Sequence, residues 1–215
     1  MNAVITSDTH GYEFIPEPAD IFIHCGDFTY HGTPSEIDKQ ILWLKSIRDR
    51  FKYMICIPGN HDFMLESCLQ SMYKKIFLSF GAYLLIDEAV HVDGKIFYGA
   101  PWIPSKGNWA FSIHPNEISS KWNSIPYLTD ILITHTPPID ILDKNDIDDH
   151  CGCKALNKRI ENLKLKYHLF GHIHESQGIK KDKITYINAS YTESNYYPTS
   201  KYIRIKDKCI ELKSI

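Results

Sequence analysis

A chain of 215 residues with 43% hydrophobic and 23% charged side chains has the make-up of a globular protein with a sizeable core. Its formal net charge of −2 leaves no electrostatic footprint for a nucleic acid polymer, and no apolar run reaches membrane-spanning length. Met1 leads straight into a strand pattern, with no room for a signal or transit peptide, and the length suits one domain over residues 1–215, so a single-domain cytoplasmic protein is expected.

In chain order, the first apolar run, Ala3 to Ser7, ends in Asp8-Thr9-His10-Gly11, and the second, Ile21 to His24, ends in Cys25-Gly26-Asp27. Thr33-Pro34-Ser35-Glu36 predicts a helix start, with Thr33 as cap, Pro34 in the first helical position and Glu36 completing a capping box. Ile37, Ile41 and Leu44 then follow at helical spacing. A third run, Tyr53 to Ile57, breaks at Pro58-Gly59 and delivers Asn60, His61 and Asp62. Met64 to Phe77 has a weaker helical pattern.

The centre reads as antiparallel, with short strands at Tyr83 to Ile86 and Glu88 to Val92, an Asp93-Gly94 hairpin turn, and a return over Lys95 to Tyr98. A long loop beginning at Gly99 carries Trp102, Trp109 and Phe111, either as a lid or as aromatic anchors. Ile131 to Thr134 ends in His135-Thr136-Pro137-Pro138. The acidic stretch Asp140 to Asp149 reads as solvated surface, and Lys154 to Leu165 as an amphipathic helix. His168 to Phe170 ends in Gly171-His172-Ile173-His174, and strands at Thr185 to Asn188 and Tyr202 to Ile205 finish the chain. The six cysteines read as free thiols. Cys151-Gly152-Cys153 lacks a second pair at zinc-finger spacing.

Five apolar runs thus end in side chains suited to metals. Alternation puts Asp8 with His10, and His172 with His174, on one side of an extended backbone, so each pair can chelate. The donors are oxygen and imidazole without thiolate, which favours Mn²⁺, Fe, Zn²⁺, Mg²⁺ or Ni²⁺, with Mn²⁺ foremost. Asp8, His10, Asp27, Asn60, His135, His172 and His174 exceed the three or four protein ligands of one open site and suit two ions. Asp27 is the natural bridge if its strand lies between the first and third. Such a pair, roughly 3.5–4 Å apart, can activate a bridging hydroxide and clamp a phosphoryl group for in-line attack. His24, His31, His91, His114, His150 and His168 lack such company and read as structural or surface residues.

Asp8-X-His10, Gly26-Asp27, Gly59-Asn60-His61-Asp62, His135 and Gly171-His172-X-His174 together resemble the motifs of the calcineurin-like metallophosphoesterase superfamily. Cys25 to Thr29, Tyr98 to Trp102, Thr134 to Pro138 and Tyr186 to Ser190 further resemble the small branch of fetal-brain-type metallophosphoesterase-domain proteins. The resemblance implies an α/β fold, a four-layer αββα sandwich of two mixed β-sheets flanked by helices. It implies that Asp8, His10, Asp27 and His174 hold one metal, and that Asp27, Asn60, His135 and His172 hold the other. Asn60, His61 and His135 would contact substrate, with His61 at the leaving-group oxygen as general acid or charge stabiliser. Asp62 completes the catalytic set as an orienting group.

Some animal members of the branch carry Gly where this chain has His172 and are poor enzymes, so the imidazole here argues for activity. The Arg residues that protein phosphatases of the superfamily place after their second and third motifs are missing, which disfavours phosphoprotein substrates. Thr136, where the branch often has Gly, narrows the space beside His135. The expected function is a metal-dependent phosphodiesterase for small phosphodiesters such as cyclic nucleotides. The alternative is a nucleotide-binding or scaffold protein with weak vestigial activity. Neither requires a membrane or a nucleic acid polymer.

Overall fold

Side-chain alternation along the strands sorts the apolar residues into layers. In β1 (Ala3–Thr6) and β2 (Ala19–His24), Ala3, Ile5, Ile21 and Ile23 join one apolar cluster while Val4 and Phe22 join another. In β3 (Phe51–Cys56), Ile55 follows the first group and Met54 and Cys56 the second. Both faces of these strands are therefore covered, which is why they read as unbroken apolar runs.

The computed structural model of the chain describes residues 1–199, 201–206 and 209–214, without the side chains of 209–212 and 214. One sheet runs in the order β14-β13-β1-β2-β3-β4, adding β4 (Ala82–Leu84), β13 (Lys201–Lys206) and β14 (Cys209–Ser214). Its strands β1 to β4 are parallel, and β13 and β14 pair antiparallel at one edge. The second sheet runs β11-β12-β10-β9-β6-β5, from β5 (Glu88–Val92), β6 (Lys95–Ala100), β9 (Ile131–Thr134), β10 (Tyr167–Phe170), β11 (Gly178–Lys181) and β12 (Thr185–Asn188). Here β6, β9, β10 and β12 are parallel, with β5 and β11 antiparallel at the edges. Between the sheets lies a core that includes Ile5, Ile23, Ile55, Ile133, Leu169 and Ile187.

Helix α1 (Pro34–Ile47) covers the outer face of the first sheet with α3 (Gln70–Ser79), burying Ile37, Leu44, Tyr73 and Phe77 against Val4 and Phe22. The Thr33 capping box is formed. On the second sheet, α4 (Ser119–Asn123) and α5 (Lys154–Ile160) bury Trp122, Leu156 and Ile160 against Leu132 and Phe170. The expected αββα sandwich of two mixed sheets is what forms. No helix among the described residues is long and apolar enough to cross a membrane.

Several local expectations need correction. β4 is parallel to β3, because its connection from α3 is a crossover rather than a hairpin; only β5 and β6 form the expected antiparallel pair. The Met64 to Phe77 pattern splits into α2 (Phe63–Glu66) and α3, since Ser67 is extended at ψ 177. α5 ends at Ile160, short of Leu165. The long central loop contains a two-residue parallel pair, β7 (Ile103–Pro104) with β8 (Ser112–Ile113). In the acidic stretch Asp143 is buried and structural, accepting from the amides of Asp140 and Gly152. Cys25, Cys56, Cys68, Cys151 and Cys153 are free thiols; the side chain of Cys209 lies outside the described residues.

Candidate metal centre

The carboxyl ends of the parallel strands in both sheets meet at one place. β2 lies between β1 and β3, so Asp27 stands between the loops carrying Asp8 and Asn60, while Ser7 bridges to Ser190 beyond β12 and joins the two sheets. The loops interlock through their backbones: the amides of Asp8, His10 and Gly11 donate to the carbonyls of Gly26, Asp27 and Phe28 at 2.8, 3.1 and 2.7 Å. Asp8, His10, Asp27 and His172 all adopt left-handed backbone, with φ of 54, 43, 58 and 70°. That conformation costs L-residues roughly 1–2 kcal/mol each, and such strain gathers where function demands a particular side-chain direction. Gly59 is required for space, because a Cβ there would collide with the Asp27 carboxylate.

The side chains form overlapping sets. Ligand atoms of Asp8, His10 and His174 lie within 4.8 Å of one another, as do those of Asp8, Asp27 and His135, and those of His10, Asp27 and His61. Asp27 belongs to two of the three sets and faces both histidine groups: its Oδ2 is 3.2 Å from His135 Nε2 and 3.8 Å from His10 Nε2. Asn60 Oδ1 is 3.0 Å from the same His135 nitrogen.

Backbone carbonyls settle the tautomers, since they can only accept. His10, His61, His135 and His174 donate Nδ1–H to the carbonyls of Thr29, Tyr30, Cys25 and Glu193 at 3.0, 2.6, 3.0 and 2.9 Å. Each neutral ring therefore presents a bare Nε2 to the centre. His10 Nε2 and His174 Nε2 face each other at 3.3 Å, and His135 Nε2 faces two oxygens. Acceptors aimed at acceptors in a buried site call for a cation. An outer hydrogen bond on each imidazole is the usual orientation of metal-ligating histidine.

The charges agree. Burial works against ionisation of Asp8 and Asp27, but the imidazoles around them, His174 for Asp8 and His135 for Asp27, hold both carboxyls below the usual range. Burial also works against protonated His135 and His174, yet the adjacent Asp27 and Asp8 carry each up to about 9. Burial prevails at His10 and His172, which fall to about 4 and about 3. Without metal, Asp27 and Asp8 thus keep one proton each on His135 and His174, and a metal ion binds in competition with those protons. The donors present fit two hard or borderline divalent cations.

The remaining predicted residues divide by position. His172 lies outside the three close sets, but its ring stands 5.0 Å from that of His135, and its amide donates to both Asp8 oxygens. Asp62 is fully buried and spends its carboxylate on loop backbone, accepting from Phe28, Thr29 and Gly59 amides and the Thr29 hydroxyl. Burial, reinforced by Asp27, pushes it up to about 7. His61, assigned no metal by the resemblance, has a ligand atom as close to His10 and Asp27 as the other sets show.

Several residues at the centre escape a reading by strand ends. Trp109, from the central loop, packs against His61 with ring centroids 4.8 Å apart, and Ala110 N donates to Asn60 O, so this loop reaches the site. Tyr196 sets its ring edge-on to His10 at 4.8 Å and to His174 at 5.4 Å. Ser190 Oγ donates to Asp8 Oδ2 at 2.9 Å, and Thr192 Oγ1 to Asp8 O at 2.9 Å. The polar tail after Thr185 to Asn188 is a sixth strand end and carried a signal for Ser190. Tyr196 and Trp109 had none. Asp27, Asn60, His61, His172, His174, Trp109 and Tyr196 border a cavity of about 260 Å³.

Comparison with known proteins is consistent with this geometry. The family model described as calcineurin-like phosphoesterase matches residues 1–176. Metallophosphoesterase domain-containing protein 1 of Homo sapiens is 36% identical over 94% of this chain and 69% of its own length. A Caenorhabditis elegans protein is 31% identical over 88% of this chain and 69% of its own length. Among solved structures, TT1561 of Thermus thermophilus superimposes with a TM-score of 0.69 at 11% identity, covering 99% of this chain and 98% of that one, which is a likeness of fold.

Proposed function

The chain belongs to the calcineurin-like phosphoesterase family, and from that premise we propose that it is a metal-dependent phosphodiesterase for small esters such as cyclic nucleotides. The observation that carries this reading is the meeting of Asp8, Asp27 and the bare Nε2 atoms of His10, His135 and His174 beside a cavity about the size of a phosphoryl group and its immediate substituents. Asp8, His10, Asp27 and His174 would hold one ion, and Asp27, Asn60, His135 and His172 the other, with Mn²⁺ the best match to the oxygen and imidazole donors. Bound there, two divalent ions supply charge neutralisation for phosphoryl oxygens and acidify water.

The protein's own groups do the rest. Tyr30 O fixes the His61 ring through Nδ1–H, so the ring would deliver a proton to the leaving oxygen from Nε2 as the imidazolium, keeping its Nδ1–H bond. Trp109 packs against that ring at a tilt, with centroids 4.8 Å apart, and helps hold its orientation. Asp62 locks the loop bearing Asn60 and His61 onto the loop bearing Asp27, so donors from two strands keep one geometry. The −2 charge suits small substrates over nucleic acid polymers, and the exposed free thiols of Cys68 and Cys151 suit a reducing cytoplasm.

A substrate panel run with Mn²⁺, Mg²⁺, Ni²⁺ and Zn²⁺ tests the reading. The panel comprises bis-p-nitrophenyl phosphate, p-nitrophenyl phosphate and 2′,3′- and 3′,5′-cyclic nucleotides. Metal-dependent turnover of diesters above monoesters is expected. Tight nucleotide binding without turnover under all four metals would instead make the chain a nucleotide-binding module.

A further inference from the structure

The long loop after β6 carries three large aromatic residues, and it uses them differently. Phe111 is fully buried. Trp102 is pinned: its Nε1–H donates to the Asp87 carboxylate at 2.8 Å, and Lys121 Nζ lies 3.7 Å from the centre of its ring. These two anchor the loop. Trp109 instead stays 43% exposed, as does its neighbour Phe63 at 40%, with ring centroids 6.4 Å apart and planes 30° from parallel. Exposed aromatic surface at the edge of a reaction centre marks a place for a ligand.

The backbone around Trp109 is tied on both sides. The Ile103 and Ser105 amides donate to the carbonyls of Phe111 and Ile113 at 2.9 and 3.0 Å, and Ala110 N donates to Asn60 O at 3.1 Å. Ser112 Oγ donates to Trp109 O at 2.8 Å. The indole is thus placed before any ligand arrives, which spares a ligand the cost of ordering it. The loop's share of the small cavity is Ile103, Pro104, Ser105 and Trp109, none of them charged. At about 260 Å³ that cavity takes a phosphoryl group and its immediate substituents, so a larger group on the leaving oxygen must pass over the rim. In the proposed chemistry His61 serves that oxygen, and the ring of Trp109 lies beside His61 with centroids 4.8 Å apart. The departing group therefore meets an uncharged aromatic surface.

We infer that Trp109 is the platform for the leaving group, and that the site prefers phosphodiesters whose departing alcohol carries an uncharged flat ring. Contact with an indole rewards aromatic geometry beyond apolar area, which separates an aromatic ring from a saturated one of similar size. The inference rests on the phosphodiesterase reading for the place of the leaving oxygen, but its test does not depend on turnover.

The test measures binding of benzylphosphonate and cyclohexylmethylphosphonate to Mn²⁺-loaded protein by calorimetry. Both place a methylene where the ester oxygen would be, so neither is hydrolysed there, and only the first carries a flat ring. Wild type is expected to prefer benzylphosphonate about fivefold, Trp109→Leu to bind the two about equally, and Trp109→Tyr to keep most of the preference. If Leu disturbs the loop, Trp109→Met carries the same expectation. Were Trp109 only a support for His61, its loss would weaken both ligands together and leave their ratio unchanged, which overturns the platform. A wild type that binds the two equally, or binds neither, also overturns it. So does a preference that survives at Trp109 and is lost in Tyr196→Leu, since Tyr196 forms another part of the same cavity wall. A ring preference that depends on Trp109 in a protein that hydrolyses nothing would uphold the platform and remove the phosphodiesterase reading. Turnover of bis-p-nitrophenyl phosphate without any ring preference would do the reverse.

Discussion

Asp62 accepts two hydrogen bonds from Thr29, one from the amide at 3.0 Å and one from the hydroxyl at 2.8 Å, across 33 residues of chain. Its other oxygen accepts from Gly59 N at 2.8 Å and Phe28 N at 3.2 Å. One carboxylate thereby ties the backbone that follows Asp27 to the loop that holds Asn60. Asp62→Asn puts an NH₂ group where one oxygen now accepts, so at least one donor loses its partner in a fully buried place. The expected cost is about 2 kcal/mol in chemical denaturation. With Asn60 and Asp27 loosened, kcat/KM should fall roughly 10–100-fold, with weaker metal affinity. Wild-type metal affinity in a variant that still loses turnover would place Asp62 in the chemistry itself.

His61 separates from the metal ligands by experiment. His61→Ala removes the only group assigned to the leaving oxygen, so turnover should fall most for poor leaving groups. About 10²–10⁴-fold is expected for an alkoxide and much less for p-nitrophenolate. Both metals should remain on elemental analysis, because seven other donors are assigned to them. Loss of an ion would instead make His61 a ligand, as its place within 4.8 Å of His10 and Asp27 allows.

The strands were legible in the sequence because both faces of the parallel ones are buried, and an unbroken apolar run followed by Gly and a polar side chain marks where such a strand stops. The capping box at Thr33 was legible for the same local reason. Direction was not: nothing in the alternation of Tyr83 to Ile86 says whether it pairs parallel, and β4 followed its crossover from α3. Tyr196 is brought to the centre by a left-handed turn, φ 63°, in a loop with no periodicity. Trp109 arrives because its neighbour Ala110 donates its amide to Asn60 O.

His172 holds a left-handed backbone at φ 70°, a conformation glycine adopts without a Cβ clash. His172→Gly and His172→Ala both remove the imidazole, so both should lower metal content from two ions towards one and reduce diester turnover. They should differ in stability. The Gly variant, stripped of metal, is expected to be more stable than the Ala variant by about 1 kcal/mol, because only Ala retains the strained Cβ. Equal stability of the two metal-free variants by urea denaturation would show that the backbone at this position carries no strain.

Acid sensitivity should trace to buried neutral histidines. Burial depresses His168 to about 3. Thr134 Oγ1 donates to Thr136 O at 2.7 Å, so it accepts from His168 Nε2–H at 2.8 Å, and His168 Nδ1 is left without a partner. The folded state refuses a proton that the unfolded chain takes up near 6.5. Stability from this site is therefore complete above pH 6.5 and declines as pH falls towards about 3. His24, also depressed to about 3 by burial, acts in the same direction. His168→Leu removes one such site while Thr134 keeps its bond to Thr136. Stability at pH 8 should stay within about 1.5 kcal/mol of wild type, and the acid-unfolding midpoint, followed by circular dichroism with chelator present, should move to lower pH. A midpoint that does not move would show that His168 accepts its proton in the folded state, and would assign acid lability to the carboxylates and to His24.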